Sequence, residues 1–223
     1  MRIVLPDKPF IEAAEAELMK LTETKETHDA FFEKLENRWK AYRKLAKTSL
    51  IDVSEMELWM QYMLPDYDPE LIAAHASRLT RLWRDHDGRR VARPDVKETL
   101  EGLDRMGYTM GIIANTVTET EIPDWMVTDH VAHYFKTTIL SSKVRLRKPD
   151  PEIFLKAIEH FGVEKKQAII LEDGHNGSLA AKGGGLRLVL VEDMAYVSDE
   201  DRAYADLHTH NLSDVISFLE REK

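Results

Sequence analysis

The chain has 223 residues, of which 43% are hydrophobic, and this is enough for one sizeable core and a small second module. It contains no cysteine, no apolar run of membrane-spanning length and no signal-peptide pattern, so we exclude disulfides and zinc–thiolate sites and expect a cytoplasmic protein. The net charge of -9, from 31 basic and 40 acidic residues, disfavours nucleic acid and membrane surfaces as partners.

The first 90 residues are predicted to form a helical module without strands. Ile3-Val4-Leu5 is followed at once by Pro6 and is too short a run to predict a strand. Beyond it, apolar residues recur at helical spacing, and each helix after the first has a start signal. We therefore predict four helices, over residues 10–21, from Thr27 to Leu45, from the Ser54–Glu57 capping box to Pro65, and from Asp68 to Asp87.

From Pro94 onward, helical patterns alternate with short apolar, β-branched runs. The predicted order is helix 95–106, strand 109–114, helix 125–130, strand 137–140, helix 149–162, strand 168–171, helix 178–182, strand 186–191 and helix 212–222. Gly174 to Gly177 is interpreted as a turn, and residues 192–206 as a polar stretch without a defined element. This alternation predicts, for residues 91–223, a Rossmann-like α/β core with a mainly parallel, doubly wound sheet.

Two adjacent acids, Glu172 and Asp173, follow the buried strand 168–171. In open α/β sheets ligands bind outside the carboxyl ends of the strands, so the pair lies where a site is expected. Two carboxylates on one loop suit Mg²⁺, whereas the alternative is a solvated acidic turn. We predict that Glu172 and Asp173 bind Mg²⁺ or another divalent cation.

Three segments carry a wider pattern: Pro94–Asn115, Arg147–Phe154 with the sequence RKPDPEIF, and Glu172–Gly185. Together they resemble the haloacid dehalogenase-like superfamily, particularly its β-phosphoglucomutase-like branch with a helical cap. The resemblance implies that Lys148 balances negative charge on the nucleophile and substrate, that Glu172 and Asp173 hold Mg²⁺, and that the first four helices are the cap.

Two departures from the family pattern affect the expected chemistry. The family begins with a strand ending in Asp-x-Asp-Gly-x-Thr, whose first Asp is the nucleophile, and this sequence is absent here. The Ser or Thr that binds phosphoryl oxygens should precede Asn115, where the chain has Ala114. Asn115, Thr116 and Lys148 are the predicted substrate-binding residues. The simplest account is a truncated chain, a natural or library-derived fragment that starts after the first strand.

In the family, the missing strand lies between the strands that here end at Ala114 and Glu172. The resulting gap should not stay open, because unpaired strand edges expose backbone groups and apolar surface. Arg2 to Leu5 could fill it, the sheet could close, or a second protomer could supply the element. We expect a homodimer, either with or without exchanged elements.

Other acids and histidines are weaker candidates for functional residues. His175, beside the acid pair, is a candidate general base or extra ligand, although most loop histidines are spectators. Asp7 is a possible replacement nucleophile, but Pro9 stands in the place of the acid/base and argues against it. His208 and His210 are interpreted as surface residues, because a metal site would need a third ligand that the sequence does not show.

Two functions of different class follow. The first is a hydrolase of small phosphate esters, metal-assisted and without an aspartyl-phosphate, hence slow or promiscuous. In it Lys148 neutralises developing charge, and Asp173 or His175 transfers the proton. The alternative is a catalytically silent remnant that serves as a binding or assembly module.

Overall fold

A helical layer is formed by the first part of the chain in the computed structural model, which describes residues 2–222. Its elements are α1 (Lys8–Leu21), α2 (His28–Ser49), α3 (Glu55–Glu57, continuing as a π-helix over Leu58–Met63) and α4 (Pro69–His86). The predicted start signals are confirmed, since the side chains of Thr27, Ser54 and Asp68 each accept a backbone hydrogen bond from the first turn.

The helical layer has its own apolar core. Phe31, Leu79 and Trp59 are fully buried in it, and the Trp59 indole Nε1 donates to the Thr80 hydroxyl at 2.9 Å. Val117, from the α/β part of the chain, packs against the same cluster. The layer is therefore well packed internally and also rests on the residues that follow the first strand of the α/β part.

A pair of antiparallel strands connects the two ends of the helical layer. Strand β1 (Arg2–Leu5) pairs with β2 (Arg89–Ala92), with Leu5 opposite Arg89. The prediction that the first 90 residues contain no strand is therefore wrong. Each run is too short to predict by itself, and the pairing joins segments at opposite ends of the layer. Since β1 pairs with β2, Arg2 to Leu5 does not fill a gap in the main sheet.

The α/β part consists of parallel strands with helices between them. Its strands are β3 (Met110–Ala114), β4 (Phe135–Leu140), β5 (Ile169–Glu172), β6 (Arg187–Val191) and β7 (Leu207–Thr209). Its helices are α5 (Val96–Arg105), α6 (Glu121–Thr128), α7 (Ser141–Val144), α8 (Glu152–Phe161), α9 (His175–Gly184), α10 (Asp199–Tyr204) and α11 (Asp214–Glu220). The predicted Rossmann-like α/β class is confirmed.

The parallel strands fall into two groups. β3 pairs with β4, and β5, β6 and β7 pair in that order, but no ladder joins β3 to β5 among the described strands. β6 is buried from Leu188 to Val191, whereas all of β3 and the segment Ile169–Leu171 of β5 are only half-buried. The sheet has not closed over the expected gap, so β3 and β5 keep unpaired edges.

Two details of the C-terminal region differ from the sequence prediction. Helix α9 begins at His175 and includes Gly177, which was interpreted as part of a turn. A Cβ atom on Gly177 would lie 2.2 Å from the Glu172 carboxyl carbon, so the helix accepts glycine there because it packs directly on Glu172. The short elements α10 and β7 were not predicted. No helix within residues 2–222 is long and apolar enough to span a membrane.

Candidate active site

A buried ion pair lies between the carboxyl ends of β3 and β5. The Lys148 ammonium donates to Glu172 Oε1 and to the backbone carbonyl oxygen of Ile113, the latter at 3.4 Å. Both charged side chains are about 10% exposed. Lys148 therefore bridges β3 and β5, which are not paired with each other, and Glu172 balances its charge.

Asn115, directly after β3, holds the backbone of the Lys148 loop. Its Nδ2 donates to the carbonyl oxygen of Lys148 at 2.8 Å, and its Oδ1 accepts from the Lys148 amide at 2.9 Å. Both ends of the Asn115 amide are thus engaged by the chain itself. This geometry is more typical of a residue that positions Lys148 than of a residue that contacts the substrate directly.

The Thr116 hydroxyl is engaged within its own loop. It accepts from the Thr118 amide at 3.2 Å and donates to the Thr118 carbonyl oxygen at 3.4 Å. The Thr116 amide donates to Ser141 Oγ at 2.8 Å. Both predicted substrate-binding residues after β3 therefore lie at the expected strand end, with their polar groups already paired inside the protein.

A buried polar network around Asp52 joins the helical layer to this strand end. Asp52 is 1% exposed and accepts from Ser141 Oγ at 2.5 Å and from Arg147 Nη1 at 2.7 Å. Tyr42 also donates to Asp52, and burial, together with the nearby Asp52 charge, raises the pKa of the Tyr42 phenol. Sequence analysis missed this network, although an acid between the apolar residues Ile51 and Val53 is a signal for a buried carboxylate.

The basic segment 143–148 is neutralised by carboxylates from other parts of the chain. The pairs are Lys143 with Glu119, Arg145 with Glu57, Arg147 with Asp52, and Lys148 with Glu172. Because Asp52 and Glu57 belong to the helical layer, two of these pairs fasten that layer to the α/β part. The segment therefore holds the helical layer against the α/β part through ion pairs.

Asp173 differs from its neighbour Glu172. It is half-buried at the end of β5 and forms no hydrogen bond or ion pair with the residues that the structure describes. Its carboxylate is available for an external partner, whereas that of Glu172 is held by Lys148. The two adjacent acids are therefore not equivalent as ligands.

His175, the first residue of α9, is held by a buried acid. Its Nδ1 lies 2.7 Å from Asp201 Oδ2, and Asp201 is 4% exposed. Burial acts to raise the pKa of Asp201, but hydrogen bonds from Ser198 and His175 outweigh it and hold that pKa below its ordinary value. Since an ionised carboxylate only accepts hydrogen bonds, Nδ1 is the donor in this contact, and Nε2 is the ring nitrogen left for an external partner.

Asp201 is a further residue that sequence analysis missed. Ser198 and Asp201 form a capping box at the start of α10, with the Ser198 hydroxyl accepting from the Asp201 amide. That capping box is a local signal and could have predicted the helix. Its position beside His175 depends on tertiary packing.

The side chains that could hold a divalent cation here are Asp173 and, after displacement of Lys148, Glu172. Among residues 2–222 these two acids are not part of a group of three or more His, Asp or Glu with ligand atoms within 4.8 Å of one another. Mg²⁺ is commonly held by one or two carboxylates together with substrate phosphate oxygens and water. The free Asp173 carboxylate fits that mode of binding.

Comparison with known proteins points to one family. A profile of the haloacid dehalogenase-like hydrolases matches residues 19–191. The chain is 29% identical over 122 residues to a phosphoglycolate phosphatase of Aliivibrio fischeri, covering 54% of this chain and 53% of that protein. It is 29% identical over 167 residues to a glyceraldehyde 3-phosphate phosphatase of Pyrococcus furiosus, covering 70% and 65%.

The chain thus spans between about half and two thirds of the length of these relatives. Among solved structures, it is similar to a 2-haloacid dehalogenase from Pseudomonas syringae, with a TM-score of 0.69 and 22% identity over 99% of this chain and 95% of that one. At this identity the likeness concerns the fold. The family resemblance of the three sequence segments is confirmed.

Proposed function

Because the chain belongs to the haloacid dehalogenase-like hydrolase family, we propose that it hydrolyses small phosphate esters at the carboxyl ends of β3 and β5. The observation that carries this proposal is the buried Lys148 ammonium at that position, next to the unpaired Asp173 carboxylate. The two relatives, both phosphatases of small phosphorylated molecules by name, support the same substrate class.

The proposed roles follow from the contacts. Lys148 stabilises negative charge on the phosphoryl oxygens, and Asn115 positions Lys148 through its backbone. Asp173 and Glu172 would hold Mg²⁺. When bound, this cation supplies charge neutralisation at the phosphate and lowers the pKa of water. Thr116 keeps the loop after β3 in shape for the substrate.

His175 is the proposed general base, with Asp201 positioning its ring. Nε2 takes a proton from water as the water oxygen forms a bond to phosphorus. The bond from phosphorus to the ester oxygen breaks, and the same proton passes to that oxygen. The products are inorganic phosphate and an alcohol.

Direct attack by water fits the absence of Asp-x-Asp-Gly-x-Thr from the sequence and predicts slow turnover of several substrates. Asp7 has another role, because it caps α1 by accepting from the Phe10 amide and forms an ion pair with Arg89 at 2.9 Å. Those contacts do not favour it as a replacement nucleophile.

The test is hydrolysis of p-nitrophenyl phosphate in the presence of Mg²⁺. We expect Lys148→Met, Asp173→Asn and His175→Gln each to lower kcat by about 10²-fold or more. Matched controls are Lys156→Met and His160→Gln on the exposed side of α8, which should leave the rate unchanged. If the three site variants and a chelator all leave the rate unchanged, the assignment of the site is wrong. If the unaltered protein does not cleave the ester, the silent binding or assembly module becomes the better description.

We also propose that the protein acts in the cytoplasm as a homodimer in which a second copy covers the unpaired edges of β3 and β5. The separation of β3 from β5 supports this arrangement, since exposed strand edges favour pairing with another chain. Residues 1–90 would act as the cap and residues 91–223 as the core. A monomer in light scattering at micromolar concentration, with full thermal stability, would contradict the dimer.

A further inference from the structure

A second cluster of metal-ligating side chains lies at the carboxyl ends of β6 and β7. Glu192 directly follows β6, His208 lies in β7, and His210 follows β7. One ligand atom from each of these residues lies within 4.8 Å of the other two. The structure therefore supplies the third ligand that the His-x-His sequence lacks by itself.

Strand geometry explains why these residues meet. Leu190 lies opposite His208 in the parallel ladder, and the Glu192 amide donates to the Thr209 carbonyl oxygen at 2.8 Å, extending the pairing by one residue. Alternate residues of a strand share a face, so His208 and His210 lie on the same side of β7. The register places Glu192 beside them.

Hydrogen bonds hold the Glu192 carboxylate in place beside His208. Its Oε2 lies 2.7 Å from His208 Nε2, and Arg202 donates to both of its carboxylate oxygens, at 3.0 and 2.8 Å. Arg93 Nη2 donates to the backbone carbonyl of His210 at 2.8 Å and fixes the chain there. The charge of Arg202 opposes a cation, so binding should be moderate in strength.

We propose that Glu192, His208 and His210 form a binding site for a divalent transition metal ion, with Zn²⁺ as the best fit. Two imidazole nitrogens and one carboxylate oxygen are a donor set that suits Zn²⁺, whereas Mg²⁺ and Ca²⁺ prefer oxygen ligands throughout. Both histidines are exposed, so their rings can turn to close around an ion that reaches them from solvent.

The consequence of binding is structural. An ion held by these three residues would join the end of β6 to the strand β7 at the edge of the sheet. Because an ion that binds the folded state stabilises it by mass action, unfolding should shift to higher temperature when Zn²⁺ is present. This effect is independent of the proposed hydrolysis.

The experiment uses the full chain, untagged and freed of metal, with Zn²⁺ titrated against a chromophoric chelator and thermal unfolding followed in parallel. We expect one Zn²⁺ per chain and a raised midpoint of unfolding, with no competition from Mg²⁺. His208→Asn, His210→Asn and Glu192→Gln should each weaken binding by about tenfold or more and remove the shift in midpoint.

The matched control comes from the helical layer, where His28 and His86 share the Glu15 carboxylate. His28→Asn should leave Zn²⁺ binding unchanged. If His28→Asn removes binding while His210→Asn does not, the ion is held elsewhere and the proposal fails. It fails equally if the unaltered protein binds no Zn²⁺. His210 is exposed, so its replacement should not prevent folding.

Discussion

The helical layer and the α/β part differ in how completely they are closed. The helical layer buries Phe31, Trp59 and Leu79 fully, whereas β3 and most of β5 remain half-exposed. A helix satisfies its own backbone hydrogen bonds, but a parallel strand needs a neighbour on each edge and cover on each face. A helical layer can therefore close without such neighbours, whereas the parallel strands here stay in two groups, and the ion pair at Lys148 bridges them.

The largest expected effect comes from removing that bridge. Lys148→Met leaves the buried Glu172 carboxylate without a partner, and we expect a loss of about 3–5 kcal/mol in the free energy of unfolding. Adding Glu172→Gln should restore part of this loss, because the buried charge is then removed. Urea denaturation of both single variants and the double variant measures the coupling.

The matched control for this prediction is Arg78→Met in the helical layer. Arg78 pairs with Glu17, but these side chains are 49% and 39% exposed, so the loss should stay below about 1 kcal/mol. Equal losses for the Arg78 and Lys148 variants would mean that the bridge between the strands has no special importance.

A second test compares the same substitution in the two regions. Ile72→Ala in α4 empties a fully buried position and should lower the free energy of unfolding by about 2–5 kcal/mol. Ile113→Ala in β3 should lower it by less than half as much, since the half-exposed side chain loses less burial. Chemical denaturation measures the free energy of unfolding of the two variants. Similar losses would contradict the claim that the helical layer is more completely buried than β3.

A third test concerns the contact between α9 and Glu172. Gly177→Ala would place a Cβ atom 2.2 Å from the Glu172 carboxyl carbon, and overpacking of this kind destabilises by about 1–3 kcal/mol. Gly183→Ala, in the same helix, meets its nearest neighbour at 3.5 Å and should stabilise by about 0.5 kcal/mol through helix propensity. Thermal unfolding should therefore shift in opposite directions for the two variants.

The smallest expected effect is a pH dependence in the helical layer. The hydrogen bond with Glu15 raises the pKa of His28 above its ordinary value of 6.5, with a further contribution from Asp29. A raised pKa means that the stabilisation is fully present below that ordinary value and is lost as pH rises through the folded-state pKa. Because His28 is 52% exposed, the loss should be well below about 1 kcal/mol.

Unfolding midpoints between about pH 5 and about pH 9, compared with those of His28→Asn, measure this dependence. In the α/β part the sign is opposite. The pKa of Asp201 is lowered, so its contribution is lost only as pH falls through that depressed value. A His28→Asn profile parallel to that of the unaltered protein would exclude the ion pair with Glu15 as a contributor.

Local signals in the sequence predicted most helices and the parallel strands. Thr27, Ser54 and Asp68 cap helices as expected, because a cap depends on residues within one turn of it. The pairing of β1 with β2 could not be predicted, since it joins short segments from the two ends of the helical layer. The start of α9 was missed for a related reason, because the tolerance for Gly177 depends on the packing of Glu172.

The position of the candidate site could be predicted from the sequence, but most of its hydrogen bonds could not. Lys148 and Glu172 were placed at one site through their motifs, and the structure brings their side chains into contact. The engagement of Asn115 with the Lys148 backbone cannot be read from sequence spacing. Neither can the approach of Asp201 to His175, which depends on how α10 packs. The roles in catalysis stay predictions.

The division of the sheet also affects how the protein should exchange amide hydrogens with water. Amides of β6 are paired on both sides and should exchange only when the three-stranded group opens as a whole. Amides of β3 and β5 that face the gap have no strand partner there, and they should exchange through small local fluctuations. The two groups of strands are then coupled through side chains, namely Lys148 and the apolar cluster that Ile113 and Ile170 share, and not through a continuous ladder.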